Sequence, residues 1–132
     1  MSQENVETMR KAMQAFNRRD GAAFDAVLRD DSVIVPVRAV LEGTTYRGAD
    51  AGTRYCAAVD ESWEALAWDV EQLRDGGDLV LAVGYIRGRG RDSGAAFDSR
   101  AGWVAHFRDG LITRFQTYAD RDMALEAAGL SE

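Results

Sequence analysis

The chain holds one histidine, His106, one cysteine, Cys56, and twenty-two aspartate and glutamate residues. An imidazole or a carboxylate facing a cavity can give a proton to a substrate or take one from it, so His106 and Asp69 are the candidates for acid–base chemistry. Cys56 falls in a helical stretch with no identifiable base nearby and reads as packing; alone, it can form neither an internal disulfide nor a multi-thiolate zinc site. With a single histidine, a standard multi-histidine metal site is also out of reach, and no metal or other cofactor is expected. The stretch GRGRDSG, residues 88–94, has the composition of a phosphate-binding loop. It joins two extended segments rather than opening a helix, so its glycines are read as turn residues.

The elements that would carry these residues follow from hydrophobic period. Val6, Met9, Met13 and Phe16 recur at intervals of three and four, which predicts a helix over about residues 3–17. Asp20 suits the N-cap of a short second helix, marked by Phe24, Val27 and Leu28 and ending near Arg29. Ser32–Val37 and Thr44–Tyr46 read as strands, and Asp50–Trp63 as a third helix. Alternation then takes over: a strand through Leu66, Trp68 and Val70 to about Leu73, then Leu79–Arg89, Phe97–Phe107 and Leu111–Tyr118, with turns at 76–78, 91–94 and 108–110. The last turn, Arg108-Asp109-Gly110, is expected to be type I with glycine in the left-handed position. Asp120 would cap a terminal helix. Helices first and an antiparallel meander afterwards give an α+β class, helices on one face of a curved sheet, in one domain spanning 1–132.

A curved sheet over too few helices commonly leaves a pocket on its concave side. Side chains alternate along a strand, so Phe97, Ser99, Ala101, Trp103, Ala105 and Phe107 share the inner face, and Asp98, Arg100, Gly102, Val104 and His106 the outer one. If Phe107 pairs with Leu111, then Thr113, Phe115 and Thr117 also point inward. Trp103, Phe115 and Thr117 on this face, together with Tyr46 and Tyr55, are the candidate ligand-binding residues. The small residues opposite Trp103 leave two outcomes, room for a ligand or a space filled by the indole itself. The outer face, with Tyr85, Arg87, Asp98, Arg100, His106, Arg114, Gln116 and Tyr118, suits a subunit interface, and Arg87–Asp98 and Arg100–Tyr85 would be cross-strand pairs.

A net charge of −6 argues against a nucleic-acid or anionic-membrane partner, which would need a basic footprint. The hydrophobic fraction of 46% is enough to offset ordering entropy by burial, so disorder is not expected. The start MSQENVE is polar and acidic, unlike a signal peptide, and no apolar run is long enough for a membrane helix. A lone cysteine fits a reducing, cytoplasmic setting.

Four stretches, ENVETMRKAMQAFNRRD, YRGAD, FRDGLITRFQTY and DRDMALEAAGL, together resemble the SnoaL-like branch of the nuclear transport factor 2-like (ketosteroid isomerase-like) superfamily. The resemblance implies a cone-shaped fold, a curved antiparallel sheet wrapped over N-terminal helices with a short C-terminal helix. It covers nearly the whole chain, but its motifs are scaffold motifs, and the superfamily hosts both enzymes and binders. The ketosteroid isomerase set maps its tyrosine onto Ala12 and its base onto Pro36, while the only acid on the strand of the oxyanion acid is Asp98, which faces outward. The limonene-epoxide hydrolase set maps its base onto Thr117, its hydrating pair onto Ile34 and Pro36, and its Arg and second Asp near Gly84 and Ile86. Neither set is matched. The SnoaL-like cyclases use an Asp and a His; the only histidine here is His106, on the outer face, and no position matches the acid.

The sequence thus points to a homodimeric cone-fold protein, dimerised through its outer sheet face, that binds a small, mostly apolar molecule. Two alternatives remain: a SnoaL-like cyclase or isomerase acting on a polyketide- or steroid-like substrate, with His106 or a pocket carboxylate such as Asp69 as acid/base, and a non-enzymatic dimerisation module with a filled interior.

Overall fold

The apolar stripe at the start of the chain becomes helix α1, Ser2–Asn17, in a computed structural model that describes residues 2–37, 39 and 43–130. Met9, Ala12, Met13, Ala15 and Phe16 are all buried on that stripe. The AFNRRD motif then locks the helix in place. Asn17 Nδ2 donates to Trp68 O at 2.9 Å, and Trp68 N donates to Asn17 Oδ1 at 2.8 Å, so one carboxamide pairs with a strand edge as a neighbouring strand would. Arg19, with φ of 55°, donates to Phe16 O and Leu66 O at 2.6 Å each and pairs with Asp60 at 3.2 Å.

Asp20 caps α2, Gly21–Asp25, through Ala23 N at 3.1 Å. This helix stops earlier than its apolar pattern predicts. Leu28 already belongs to strand β1, Leu28–Val35, because it pairs in parallel with Ile112, and Ile112 N donates to Val27 O at 2.9 Å. A long-range pairing overrides local helix preference there. Strand β2 is only Tyr46–Arg47, and α3 is Ala51–Ser62. Asp50 precedes α3 without a side-chain cap; instead Asp25, from α2, accepts from Thr53 N at 3.1 Å and from the Thr53 hydroxyl, clipping the two helices together.

The remaining elements are β3 (Trp63–Asp75), β4 (Leu79–Gly90), β5 (Ala96–Arg108), β6 (Leu111–Tyr118) and α4 (Arg121–Ala128). They complete an α+β fold around a six-stranded sheet, ordered β2-β1-β6-β5-β4-β3, in which only the β1–β6 pair is parallel. Register shifts within β3, at 63–65 and 70–72, bend the sheet, as bulges do. The inner face closes over α1, α2 and α3 around Phe16, Phe24, Trp103 and Phe115.

Two details differ from expectation. The final hairpin turn has φ of 53° at Asp109 and 80° at Gly110, which is type I′ rather than type I, the form whose twist matches its strands. Phe107 consequently pairs with Ile112, not Leu111, and the extra residue is Thr113, whose hydroxyl donates to His106 O at 3.2 Å. Ile112 therefore takes the inward place expected of Thr113, while Phe115 and Thr117 still face in. Nor do all helices lie on one face. Helix α4, capped by Asp120 and ended by Gly129 in the left-handed region, covers the outer face, forming a second small core from Leu81, Val83, Val104, Ala124 and Leu125. Gly102 makes room for it, since a Cβ there would sit 2.3 Å from Ala124 Cβ.

Candidate functional site

A cavity of about 390 Å³ opens at the wide end of the cone, where α3 ends, β3 and β5 begin and β6 finishes. Its size lies within the range of small-ligand sites, about 300–1,000 Å³. Helix α3 contributes Tyr55, Ala58, Val59 and Ser62, and Tyr46 faces them from β2. Trp63, Leu66 and Trp68 come from β3, Ile86 from β4, Phe97 and Ser99 from β5, and Thr117 from β6.

The α1–β3 clamp holds the Trp68 backbone, and the Trp68 ring belongs to one of two aromatic groups at the cavity. The Trp68 ring stacks on Phe16 with centroids 3.6 Å apart and 5° between planes, and lies 6.3 Å from the Tyr55 ring. Tyr55 touches Tyr46 at 5.3 Å between centroids, and the half-buried Trp63 and Phe97 meet at 5.1 Å at the rim. Such tilted pairs add to burial through their quadrupoles.

Of the five ligand-binding candidates, Tyr46, Tyr55 and Thr117 line this cavity. Trp103 and Phe115 do not. Both are fully buried one layer deeper, with ring centroids 5.5 and 5.6 Å from Trp68. Trp103 sits opposite Ala82 and Thr117, so the small residues around it make room for the indole and the narrow end is filled. The lining contributed by Trp63, Leu66, Trp68 and Val59 was not singled out from the sequence. Its available signal was the alternation of Leu66, Trp68 and Val70, which places Trp68 on the inner face of β3.

The two acid–base candidates lie outside. His106 is on the outer face, opposite Leu79 on one side and Arg114 on the other. Burial, and then the Arg114 guanidinium, hold its imidazole below the usual histidine range. Asp69 is half-exposed on the same face and pairs with Arg87 at 2.6 Å, and Arg87 also holds Asp98 at 3.1 Å. The cross-strand pairs of the outer face form as expected, with the Arg100 guanidinium 5.3 Å from the Tyr85 ring centroid.

Among the described residues, no imidazole or carboxylate lines the cavity. The positions onto which the resemblance maps catalytic groups hold Pro36, Ile86 and Thr117 there, none of which can move a proton at neutral pH. Burial, chiefly, and the neighbouring Tyr46 and Cys56 push the Tyr55 phenol above its ordinary range, so it stays protonated and can donate. Burial likewise pushes the Cys56 thiol up to about 11, against the nearby Arg19, which leaves it a poor nucleophile. Among the described residues, no group of His, Cys, Asp or Glu is placed to hold a metal ion, and no described helix is long and apolar enough to cross a membrane.

No curated protein matches the chain in sequence. Several solved structures are similar in fold. One is an NTF2-like protein from Burkholderia thailandensis E264, with 25% identity over 96% of this chain and 98% of that chain and a TM-score of 0.78. Another, from Catenulispora acidiphila DSM 44928, has a ketosteroid isomerase-like fold and was solved in complex with trimethylamine; it shares 19% identity over 95% of this chain and 94% of that chain, with a TM-score of 0.76. A third is TerC co-crystallised with polyporic acid, with 19% identity over 96% and 98% of the two chains and a TM-score of 0.76. At such identities the last two speak for the fold alone. The SnoaL-like domain matches residues 9–115, from within α1 to within β6, and the chain therefore belongs to the SnoaL-like family, on the NTF2-like fold.

Proposed function

We propose that this protein binds a small, mostly apolar molecule in the cavity at the wide end of the cone, as a carrier or sensor or by holding a substrate in shape. The observation that supports this is the lining itself: five aromatic rings and several aliphatic groups around an open space of about 390 Å³, with hydroxyls as the side-chain polar groups facing it from α3 and β6. A filled interior would have favoured a purely structural module. A cyclase or isomerase would call for an acid or base in this space, and both His106 and Asp69 face away from it.

A thermal-shift screen with apolar cyclic compounds, read together with quenching of tryptophan emission, tests the reading. Binding should raise the melting temperature and quench Trp63 and Trp68, which line the space. If no compound shifts the melting temperature or the emission, the reading fails.

We further propose that the chain acts as one domain over 1–132, in the cytoplasm, and as a homodimer through the outer sheet face beside α4, where His106, Arg114, Gln116 and Tyr118 lie in adjoining strands. The mixed apolar and polar character of that strip supports an interface. Light scattering should give twice the monomer mass, falling toward the monomer on Tyr118→Glu.

A further inference from the structure

Two residues that line the cavity, Tyr55 and Thr117, carry hydroxyls with no hydrogen-bond partner among the described residues. Tyr55 and Thr117 are 7% and 4% exposed, and neither side chain makes a hydrogen bond to any described residue. They differ from Ser32 Oγ and Trp103 Nε1, which are sealed inside the protein without a partner. Tyr55 and Thr117 both line the cavity and can be reached from it. They come from different walls, α3 and β6, so nothing local explains why both walls carry a hydroxyl at this depth.

We infer that Tyr55 and Thr117 form the polar end of the binding site and select an uncharged ligand bearing a carbonyl-type oxygen directed at them. This deepens the proposed function and rests on it. Tyr and Thr each bring one O–H donor, while a carbonyl oxygen has two lone pairs and accepts both. A pure hydrocarbon filling the same space would shut water out from these groups and offer nothing in return, stranding two donors. The described lining has no carboxylate to pair with a ligand ammonium, and the one arginine that borders it, Arg100, lays its guanidinium over Tyr85. Among the described residues an ionic ligand would therefore meet no counter-charge, which disfavours it.

The test uses two three-ring probes of nearly the same shape, fluorene and fluorenone, which differ by one carbonyl oxygen. Affinities are read by tryptophan quenching on the full chain and on the Tyr55→Phe and Tyr55→Phe/Thr117→Val variants. Phenylalanine keeps the ring contacts of Tyr55 with Phe16, Tyr46 and Trp68, and valine keeps the shape of threonine, so the cavity is preserved.

Wild type should prefer fluorenone about tenfold, equivalent to about 1.4 kcal/mol. That preference should fall in Tyr55→Phe and vanish in the double variant, while fluorene affinity holds or improves. Equal affinity of the wild type for both probes, or a preference surviving in the double variant, overturns this inference and leaves the cavity standing as an apolar site. Failure of both probes to bind the wild type overturns the proposed function and this inference with it.

Discussion

Asn17→Ala isolates the clamp that sets the floor of the cavity. The carboxamide of Asn17 makes two hydrogen bonds to the Trp68 backbone, at 2.9 and 2.8 Å, and no strand borders β3 on that side. Each such bond contributes about 0.5–1.5 kcal/mol net, so losing both costs about 1–3 kcal/mol. Asn17 is itself exposed, and water can reach the vacated groups, which places the loss at the lower end, about 1–2 kcal/mol. For a chain of this size that corresponds to a fall in melting temperature of about 4–8 °C. The substitution frees Trp68 from its stacking on Phe16, so the near-ultraviolet circular dichroism of the tryptophans should weaken and ligand affinity should drop with it. Asn17→Asp keeps the acceptor for Trp68 N but faces a carboxylate toward Trp68 O, and should not restore stability. The assay is urea denaturation followed by far-ultraviolet circular dichroism. If Asn17→Ala unfolds within about 0.5 kcal/mol of wild type, a change typical of featureless surface sites, the clamp does not hold Trp68 and the reasoning fails.

Three further outcomes follow from the same geometry. Trp103→Ala, which empties a fully buried site at the narrow end, should cost about 3–5 kcal/mol in urea denaturation; a cost under 1 kcal/mol would mean that the indole is not core. Gly102→Val should push α4 from its seat on the outer face, lowering stability by about 1–3 kcal/mol and speeding hydrogen exchange in Arg121–Ala128, with the cavity side unaffected. Because the folded state holds His106 below its unfolded pKa of about 6.5, the unfolded chain takes up more protons there. The contribution of this group is thus complete above that value and lost as pH falls through the folded pKa, and His106→Gln should flatten the slope of stability against pH in that window.

The fold was largely legible from the chain because its signals are local. The 3.6-residue spacing of Val6, Met9, Met13 and Phe16 and the period of two along β4 and β5 each identify an element and its buried face, since an element of that period can hide only one side. The resemblance maps known catalytic carboxylates onto Pro36 and Thr117, whose side chains carry none, and that much is read from residue types alone. Pairings between distant segments were not. Leu28 joined β1 instead of α2 because Ile112, far along the chain, supplied a partner, and the bulge at Thr113 depended on the twist that the Asp109–Gly110 turn imposes on two strands.

The candidate site divides along the same line. Alternation marked Thr117 as inward and His106 as outward, and Tyr46 and Tyr55 stood beside Thr117 as binding candidates. Only the tertiary structure decided that Trp103 fills the narrow end while Trp68, held by Asn17, lines the open one. Both indoles lie on inner faces by period. What separates them is their neighbours in three dimensions, Ala82 and Thr117 beside Trp103 and the Asn17 carboxamide at Trp68, and such neighbours are set by many side-chain volumes packed at near-crystalline density rather than by any single stretch of sequence.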